Sequence, residues 1–408
     1  MARVVVAMSG GVDSSVTAWL LKEQGHEVIG LFMRTGVEAP PPSTDENCSV
    51  ESPNSDRKKG CCSASDARDA RRIADQLDIP FYSVDFSGDF SSLMDLFADE
   101  YLRGRTPNPC VVCNSRLKFG TLWSQAKALE ADYLATGHYV RRTDGPSGPE
   151  LHVAHDLNKD QSYVLFGLKR EILGGLMFPL GDLTKPEVRE IAAKAGFSSV
   201  ASKPDSVEIC FVPDHDHARF VRERRPNSAV PGNIIDESGK KLGEHTGIER
   251  FTVGQRKGLQ LAMGSPRYVL KVIPETHEVV IGERPGLFSR GLLASRLNWF
   301  VDLPEGNFAC QARIRHRHTP ARSAARVRPD GNLEVRFDEP QSAVTPGQSV
   351  VLYLGTKVLG GAWIDEALSD GYFCKKEEAN IPSSPMENSL VQSQTPQPAS
   401  VGPTGSFA

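Results

Sequence analysis

Apolar positions in the first half of the chain alternate between two rhythms. Residues 3–8 read as a buried strand, and residues 16–24 carry helical spacing that stops at Gly25, a good left-handed cap. Strand character returns over 27–33. Between 66 and 77, Ala67, Ala70, Ile73, Ala74 and Leu77 recur at helical spacing, and 81–86 reads again as strand. Helices are predicted over 90–102 and 116–129, with a short strand at 133–136. Strands alternating with helices imply a doubly wound α/β parallel sheet, whose ligands collect at the carboxyl ends of the strands.

The rhythm breaks twice. From 36 to 60 the chain is polar, Pro-rich and patternless, longer than connecting loops usually are, and is expected to be a lid or disordered. After about Pro213, Gly and Pro punctuate short β-type runs at 268–273, 279–281, 311–315, 333–337 and 349–354. These predict a small β-rich central domain followed by a C-terminal six-stranded β-barrel. The expected division is 1–213, 214–285 and 286–372, with 373–408 a disordered tail too poor in apolar residues to offset ordering entropy.

The chain has 408 residues, of which 39% are apolar and 24% charged, values ordinary for soluble globular proteins. No stretch approaches the roughly 18 apolar residues of a membrane span, and the opening residues are too short a run for a signal peptide, so a cytoplasmic protein with no membrane partner is expected. The formal net charge of −4 excludes a protein that coats nucleic acid indiscriminately; any RNA contact must come from a local basic surface.

The first candidate chemistry lies at Ser9-Gly10-Gly11-Val12-Asp13-Ser14-Ser15, where a strand turns into a helix. Such a turn aims backbone amides and the positive end of a helix dipole at one spot, which suits a phosphate. The glycines allow close approach, the serine hydroxyls can donate hydrogen bonds, and Asp13 can cap the helix or orient Mg2+. No Gly-Lys-Ser/Thr follows, so this is not a Walker loop. The run resembles the pyrophosphatase loop (PP-loop) of enzymes that split ATP into AMP and pyrophosphate.

The second lies among the eight cysteines. Thr106-Pro107-Asn108-Pro109-Cys110-Val111-Val112-Cys113-Asn114 sets two thiols in a Pro-stiffened loop ahead of a helix, a position that lowers a thiol pKa. Cys210 lies apart, in Asp205-Ser206-Val207-Glu208-Ile209-Cys210-Phe211. With Gly30-Leu31-Phe32-Met33, Ala135-Thr136-Gly137-His138-Tyr139, Asn158-Lys159-Asp160-Gln161-Ser162-Tyr163, Gly254-Gln255-Arg256-Lys257-Gly258 and Thr345-Pro346-Gly347-Gln348, these motifs in order over about residues 3–365 resemble the MnmA-type tRNA-specific 2-thiouridylases.

The resemblance implies an adenine-nucleotide α-hydrolase-like fold and transfer of sulfur to C2 of a wobble uridine in tRNAs for Glu, Gln and Lys. A cysteine desulfurase or relay protein would be the sulfur donor. It implies that Ala7, Met8, Ser9, Gly10, Gly11, Val12, Asp13, Ser14, Met33 and Gly137 contact ATP, and that Asn108, Pro109 and Cys110 face the target base. Cys113 matches the catalytic cysteine and Cys210 the persulfide carrier. One branch of the family has aspartate where Cys110 stands. Cys110, Cys113 and Cys210 together offer three thiolates, enough for a [4Fe–4S] cluster with one iron open, an alternative to the persulfide route. Cys48, Cys61 and Cys62 offer ligands for a separate site, and Cys310 and Cys374 read as bystanders.

Lys159, Asp160, Gln161, Arg315 and His316 carry the family's expectation of tRNA contact. Arg313, Arg315 and Arg317 alternate and would form a phosphate-binding row on one face of a strand; Arg219, Arg222, Arg224, Arg225, Arg256 and Lys257 would extend that track. His138 reads as structural.

Overall fold

The apolar run near the start folds as the strand Arg3–Ala7, with Val4, Val5 and Val6 fully buried. It is central in a five-stranded parallel sheet that runs Phe81–Asp85, Glu27–Arg34, Arg3–Ala7, Tyr133–Ala135, Leu176–Met177. Alternation along these strands makes two cores. Val4, Val6 and Phe32 join the helices Val12–Glu23, Ala64–Gln76 and Lys185–Lys194 on one face. Val5, Leu31 and Met33 join the helix Ser87–Leu102 and the cysteine-bearing segment on the other. The computed structural model describes residues 1–37, 63–204, 209–214, 216–259, 261, 264–302, 306–369 and 372. The expected loop at 36–60 falls outside them from residue 38 on, with Cys48, Cys61 and Cys62. So do residues 205–208 of the Cys210 motif and the tail 373–408 with Cys374.

Helix starts are earlier than their spacing indicated, because caps rather than apolar residues begin them. Asn108 caps a short helix Pro109–Val112 with proline in its first turn, and this runs on into a π-helical stretch Cys113–Thr121 before the helix Leu122–Ala128. The predicted helix at 116–129 is thus its second half. A four-stranded sheet, ordered Tyr268–Ile273, Glu278–Gly282, Gly232–Ile235, Lys241–His245, builds the middle module around Ile234, Val269, Val279 and Ile281.

The strands Phe288–Trp299, Leu333–Ser342, Ala321–Val327, Phe308–Arg313, Ser349–Leu354 and Lys357–Leu368 pair in that order and close on themselves as the expected six-stranded barrel. A hairpin of Val140–Gly145 and Gly148–Val153, with no clear sequence signal, adds to the outside of Lys357–Leu368. The barrel is also continuous with the first domain's core: Phe300, Val351, Tyr353 and Val358 pack in the same cluster as Tyr163, Leu165 and Phe166.

Candidate active site

The sheet order reverses beside Arg3–Ala7: the chain leaves that strand to one side and returns on the other at Tyr133–Ala135. The crevice at such a switch point is where an open α/β sheet binds ligands. The loop from Ser9 and the turn at Gly137 occupy it. They are in direct contact, since a Cβ on Gly137 would lie 2.9 Å from the Asp13 carbonyl carbon and 3.0 Å from the Ser14 nitrogen.

Gly10 turns the loop at φ +74°, and a Cβ there would sit 2.2 Å from the Asp66 carbonyl oxygen. Only glycine fits on both counts. The helix Val12–Glu23 then begins at Gly11 with no side-chain cap, so its first amides keep their donors for a ligand. Ser14 and Ser15 instead donate to the Gly11 carbonyl at 3.2 and 2.9 Å, and Ser15 is fully buried, so the loop's hydroxyls chiefly shape the turn. Met8, Val12 and Met33 are buried in the cores. What they can offer a nucleotide is backbone. Gly30 leaves the space that the Met8 sulfur fills.

Asp13 does not cap its helix. Its carboxylate accepts from Lys185 Nζ at 2.8 and 2.9 Å and from the Tyr139 hydroxyl at 2.8 Å. Both oxygens are engaged, so in this arrangement Asp13 serves the contacts with Lys185 and Tyr139 and not the helix cap. Lys185 escaped the sequence reading because Thr184-Lys185-Pro186-Glu187 looks only like a capped helix start. The available signal was a lysine in a helix's first turn, where the dipole disfavours a cation. Lys203 was also missed. It donates to the Gly10 carbonyl at 2.9 Å and pairs with Asp66 and Asp69, tying the nucleotide loop to the chain that leads to Cys210.

Cys113 stands at the junction of α- and π-helical turns, a local irregularity often found at functional sites. Asn114 anchors the turn by donating to the Val164 carbonyl at 3.1 Å. Cys113 and Cys210 are half-buried and pack at the margin of the same hydrophobic cluster, while Cys110 is exposed. Phe211 fixes Cys210's neighbourhood, packing edge-on against Phe90 and Phe97. Asn108 and Pro109 are buried as cap and first turn, so of the three residues expected to face the base only Cys110 is exposed. Among the described residues no three His, Cys, Asp or Glu side chains stand together as a metal site. Cys310 is buried, its thiol pushed up to about 12 by burial, as suits a bystander.

His138, buried beside Phe119 and Phe178, shares a 2.8 Å hydrogen bond with Thr136. Burial holds its pKa well below the ordinary histidine value, so it is a neutral structural group.

The basic track divides. Arg313 turns inward onto Asp160 at 2.7 Å; Asp160 is buried and also accepts from Ser162 and the Ala154 amide. The strand ends at Arg313, so Arg313, Arg315 and Arg317 are not a row on one face. Arg224 and Arg225 clasp Asp95 and Asp99, Arg222 pairs with buried Glu249, and Arg219 with Asp214 and Glu223. Arg224 and Arg225 thus staple the middle module to the helix Ser87–Leu102, Arg222 is tied within the module, and Arg219 stays exposed but paired beside and within its own helix. Gln161 accepts from the Tyr139 amide at 2.9 Å, and Lys159 is half-buried. Arg315 and His316 are exposed, as are Arg256, Lys257 and Arg317.

A parallel sheet with a glycine-turned, uncapped loop at its switch point, and cysteines on the flanking segment, defines a PP-loop nucleotide-binding enzyme of the HUP class. Residues 2–214 match the family model described as tRNA methyl transferase HUP domain, 218–283 the tRNA methyl transferase PRC-barrel domain, and 289–364 the aminomethyltransferase beta-barrel domain. The chain is 46% identical over 389 residues to tRNA-specific 2-thiouridylase MnmA of Rhodopirellula baltica, covering 90% of this chain and 97% of that protein. It is 48% identical over 369 residues to the protein of the same name from Geotalea uraniireducens, with 90% and 96% covered. The chain belongs to the MnmA family of tRNA-specific 2-thiouridylases.

Proposed function

We propose that the chain is an ATP-dependent tRNA-uridine 2-sulfurtransferase acting on the wobble uridine of tRNAs for Glu, Gln and Lys. The observation that carries this is the uncapped loop Ser9–Ser14 at the switch point of a sheet whose other side bears Cys113 and Cys210 at the margin of one core. Ala7 to Ser14 and Gly137 hold ATP, with Met33 lining the site through its backbone. The uridine O2 attacks the α-phosphorus and pyrophosphate leaves. The terminal sulfur of a Cys210 persulfide attacks C2, and AMP departs with the former oxygen. Cys113 then attacks the Cys210 sulfur, freeing the 2-thio group and leaving a disulfide that an external thiol reduces. Sulfur comes from a cysteine desulfurase or relay protein. Residues 1–213 are the catalytic domain, 214–285 the central domain and 286–372 the tRNA-binding barrel, with Arg315 and His316 on the RNA side.

Mass spectrometry of tRNA nucleosides after incubation with ATP, Mg2+ and a sulfur donor tests this. A 2-thiouridine product that needs ATP and is lost in Cys113→Ala and Cys210→Ala is expected. Absence of product from the unaltered chain under both persulfide and cluster-reconstituting conditions rejects the assignment.

A further inference from the structure

The parallel sheet ends on one side at Phe81–Asp85, which among the described residues pairs only with Glu27–Arg34. The Gly30 amide donates to the Pro80 carbonyl and the Phe86 amide to the Arg34 carbonyl, both at 2.8 Å. In a parallel ladder fixed at those two ends, Tyr82 and Val84 bond inward, so Phe81 and Ser83 turn their N–H and C=O groups away from the sheet. Tyr82 and Ser83 are exposed. The run Phe81-Tyr82-Ser83-Val84 carries no proline, lysine or bulge, the devices that discourage a further strand from pairing.

Beside this free edge lies one face of the helix Ala64–Gln76. Arg68, Arg71, Arg72 and Asp75 recur at helical spacing, and with Phe81 and Ser83 they line a shallow depression of about 540 Å³. Arg71 lies over the Phe81 ring, 5.1 Å from its centre. Among the described residues no carboxylate pairs with Arg68 or Arg71, and Arg72 reaches only Asp69, at 3.9 Å, which Lys203 already holds at 2.5 Å. Three guanidinium groups thus share one surface with Asp75 as their near counter-charge.

Two features select what fits. The edge offers acceptors as well as donors, which a polypeptide strand answers in alternation and a nucleic-acid phosphate, an acceptor only, does not. Successive side chains of an added strand point to opposite faces. On the helix side they meet the guanidinium groups, and on the other side they meet the half-exposed Tyr82 ring.

We propose that this edge docks a partner protein, which adds an extended segment to Phe81–Asp85 with carboxylates at alternate positions on Arg68, Arg71 and Arg72 and apolar side chains on Tyr82. The proposal goes beyond the sulfurtransferase reading and does not rest on it.

Fluorescence anisotropy of the full chain with two labelled peptides of identical composition, rich in valine and threonine, tests it. In one peptide two glutamates are separated by one residue and share a face; in the other they are separated by two and point opposite ways. The first should bind about tenfold or more tighter, since only it sets both carboxylates on the arginines. Arg68→Glu combined with Arg72→Glu should abolish that preference, and Arg68→Ala with Arg72→Ala gives the same reading if the charge-reversed chain fails to fold. Ser83→Pro should weaken the first peptide about tenfold, because it removes an outward N–H that the sheet's own ladder does not use. The affinity for tRNA should stay within about twofold in all of these variants. Equal binding of the two peptides, or no saturable binding of either up to about 1 mM, overturns the proposal. So does undiminished binding of the first peptide by Ser83→Pro. A tRNA affinity that falls about tenfold in the arginine variants also overturns it, and would make the stripe an RNA contact.

Discussion

Removing the Lys185 ammonium should expose what it does for the nucleotide loop. Lys185 contacts both oxygens of Asp13, and the two side chains are unequally buried, 9% exposed for Lys185 and 34% for Asp13. A charge-assisted hydrogen bond is worth about 1.5–3 kcal/mol, and the partial exposure of Asp13 puts this pair near the lower end. Lys185→Met also relieves a cation at a helix N-terminus, worth about 0.3–1 kcal/mol. Its net cost should therefore be roughly 1 kcal/mol. Asp13→Asn strands the more buried partner, an ammonium without its counter-charge, and should cost about 2 kcal/mol or more.

The double variant leaves no stranded charge, so its loss should fall short of the sum by about 1–1.5 kcal/mol. Urea denaturation of the four proteins measures this cycle. Calorimetric titration with ATP should show affinity falling about tenfold in Lys185→Met, since a phosphate-bearing ligand then meets the Asp13 carboxylate without the ammonium. Additive stabilities, or Lys185→Met costing more than Asp13→Asn, would show that the pair is not the electrostatic unit its geometry describes.

Gly10→Ala should cost about 1–3 kcal/mol and weaken ATP binding, because its Cβ is driven against the Asp66 carbonyl at a left-handed backbone position; unchanged melting and unchanged titration would count against it. Arg313→Met should lower urea stability by about 3 kcal/mol by stranding buried Asp160, with little change in the salt dependence of tRNA binding, whereas Arg315→Ala should do the reverse. His138 resists protonation in the folded protein, while in the unfolded chain it titrates near 6.5. Stability should hold above that pH and fall as pH drops below it, by up to about 1.4 kcal/mol per unit from this group. Urea midpoints from pH 7.5 to 5.5 for the protein and His138→Asn give the slope, which should be shallower in the variant.

The parallel sheet was legible because its inner strands are buried on both faces and therefore apolar over long runs, as Val4-Val5-Val6 shows. The nucleotide loop was legible because Gly10 answers a local backbone demand. Three of the barrel's strands were readable as β-type runs, but Phe288–Trp299, Lys357–Leu368 and Ala321–Val327 were not; in the last, Arg322, Ala324 and Arg326 give no apolar alternation strong enough to stand out. The hairpin over 140–153 had the same defect and owes its place to pairing with a strand some two hundred residues away. Lys185 and Lys203 were hidden for a different reason. Each acts on backbone or carboxylate groups far off in sequence, and no local pattern marks a side chain whose partner is set by tertiary contact.

The arginines carry that argument to a measurable end. Read as isolated charges, Lys159, Arg219, Arg222, Arg224, Arg225, Arg256, Lys257, Arg313, Arg315 and Arg317 make a long basic track. In the fold Arg219, Arg222, Arg224, Arg225 and Arg313 are neutralised by carboxylates. Among the described residues this leaves Arg256, Lys257, Arg315 and Arg317 as exposed cations of the track outside ion pairs. Each phosphate neutralised contributes about −0.7 to −0.9 to the slope of log K against log salt, so four contacts give roughly −3 to −4, against about −7 to −9 for the whole track. Filter binding of tRNA across a salt series distinguishes the two. A slope near the steeper value would mean that RNA displaces the intramolecular carboxylates, and that the staples between the middle module and the helix Ser87–Leu102 open on binding.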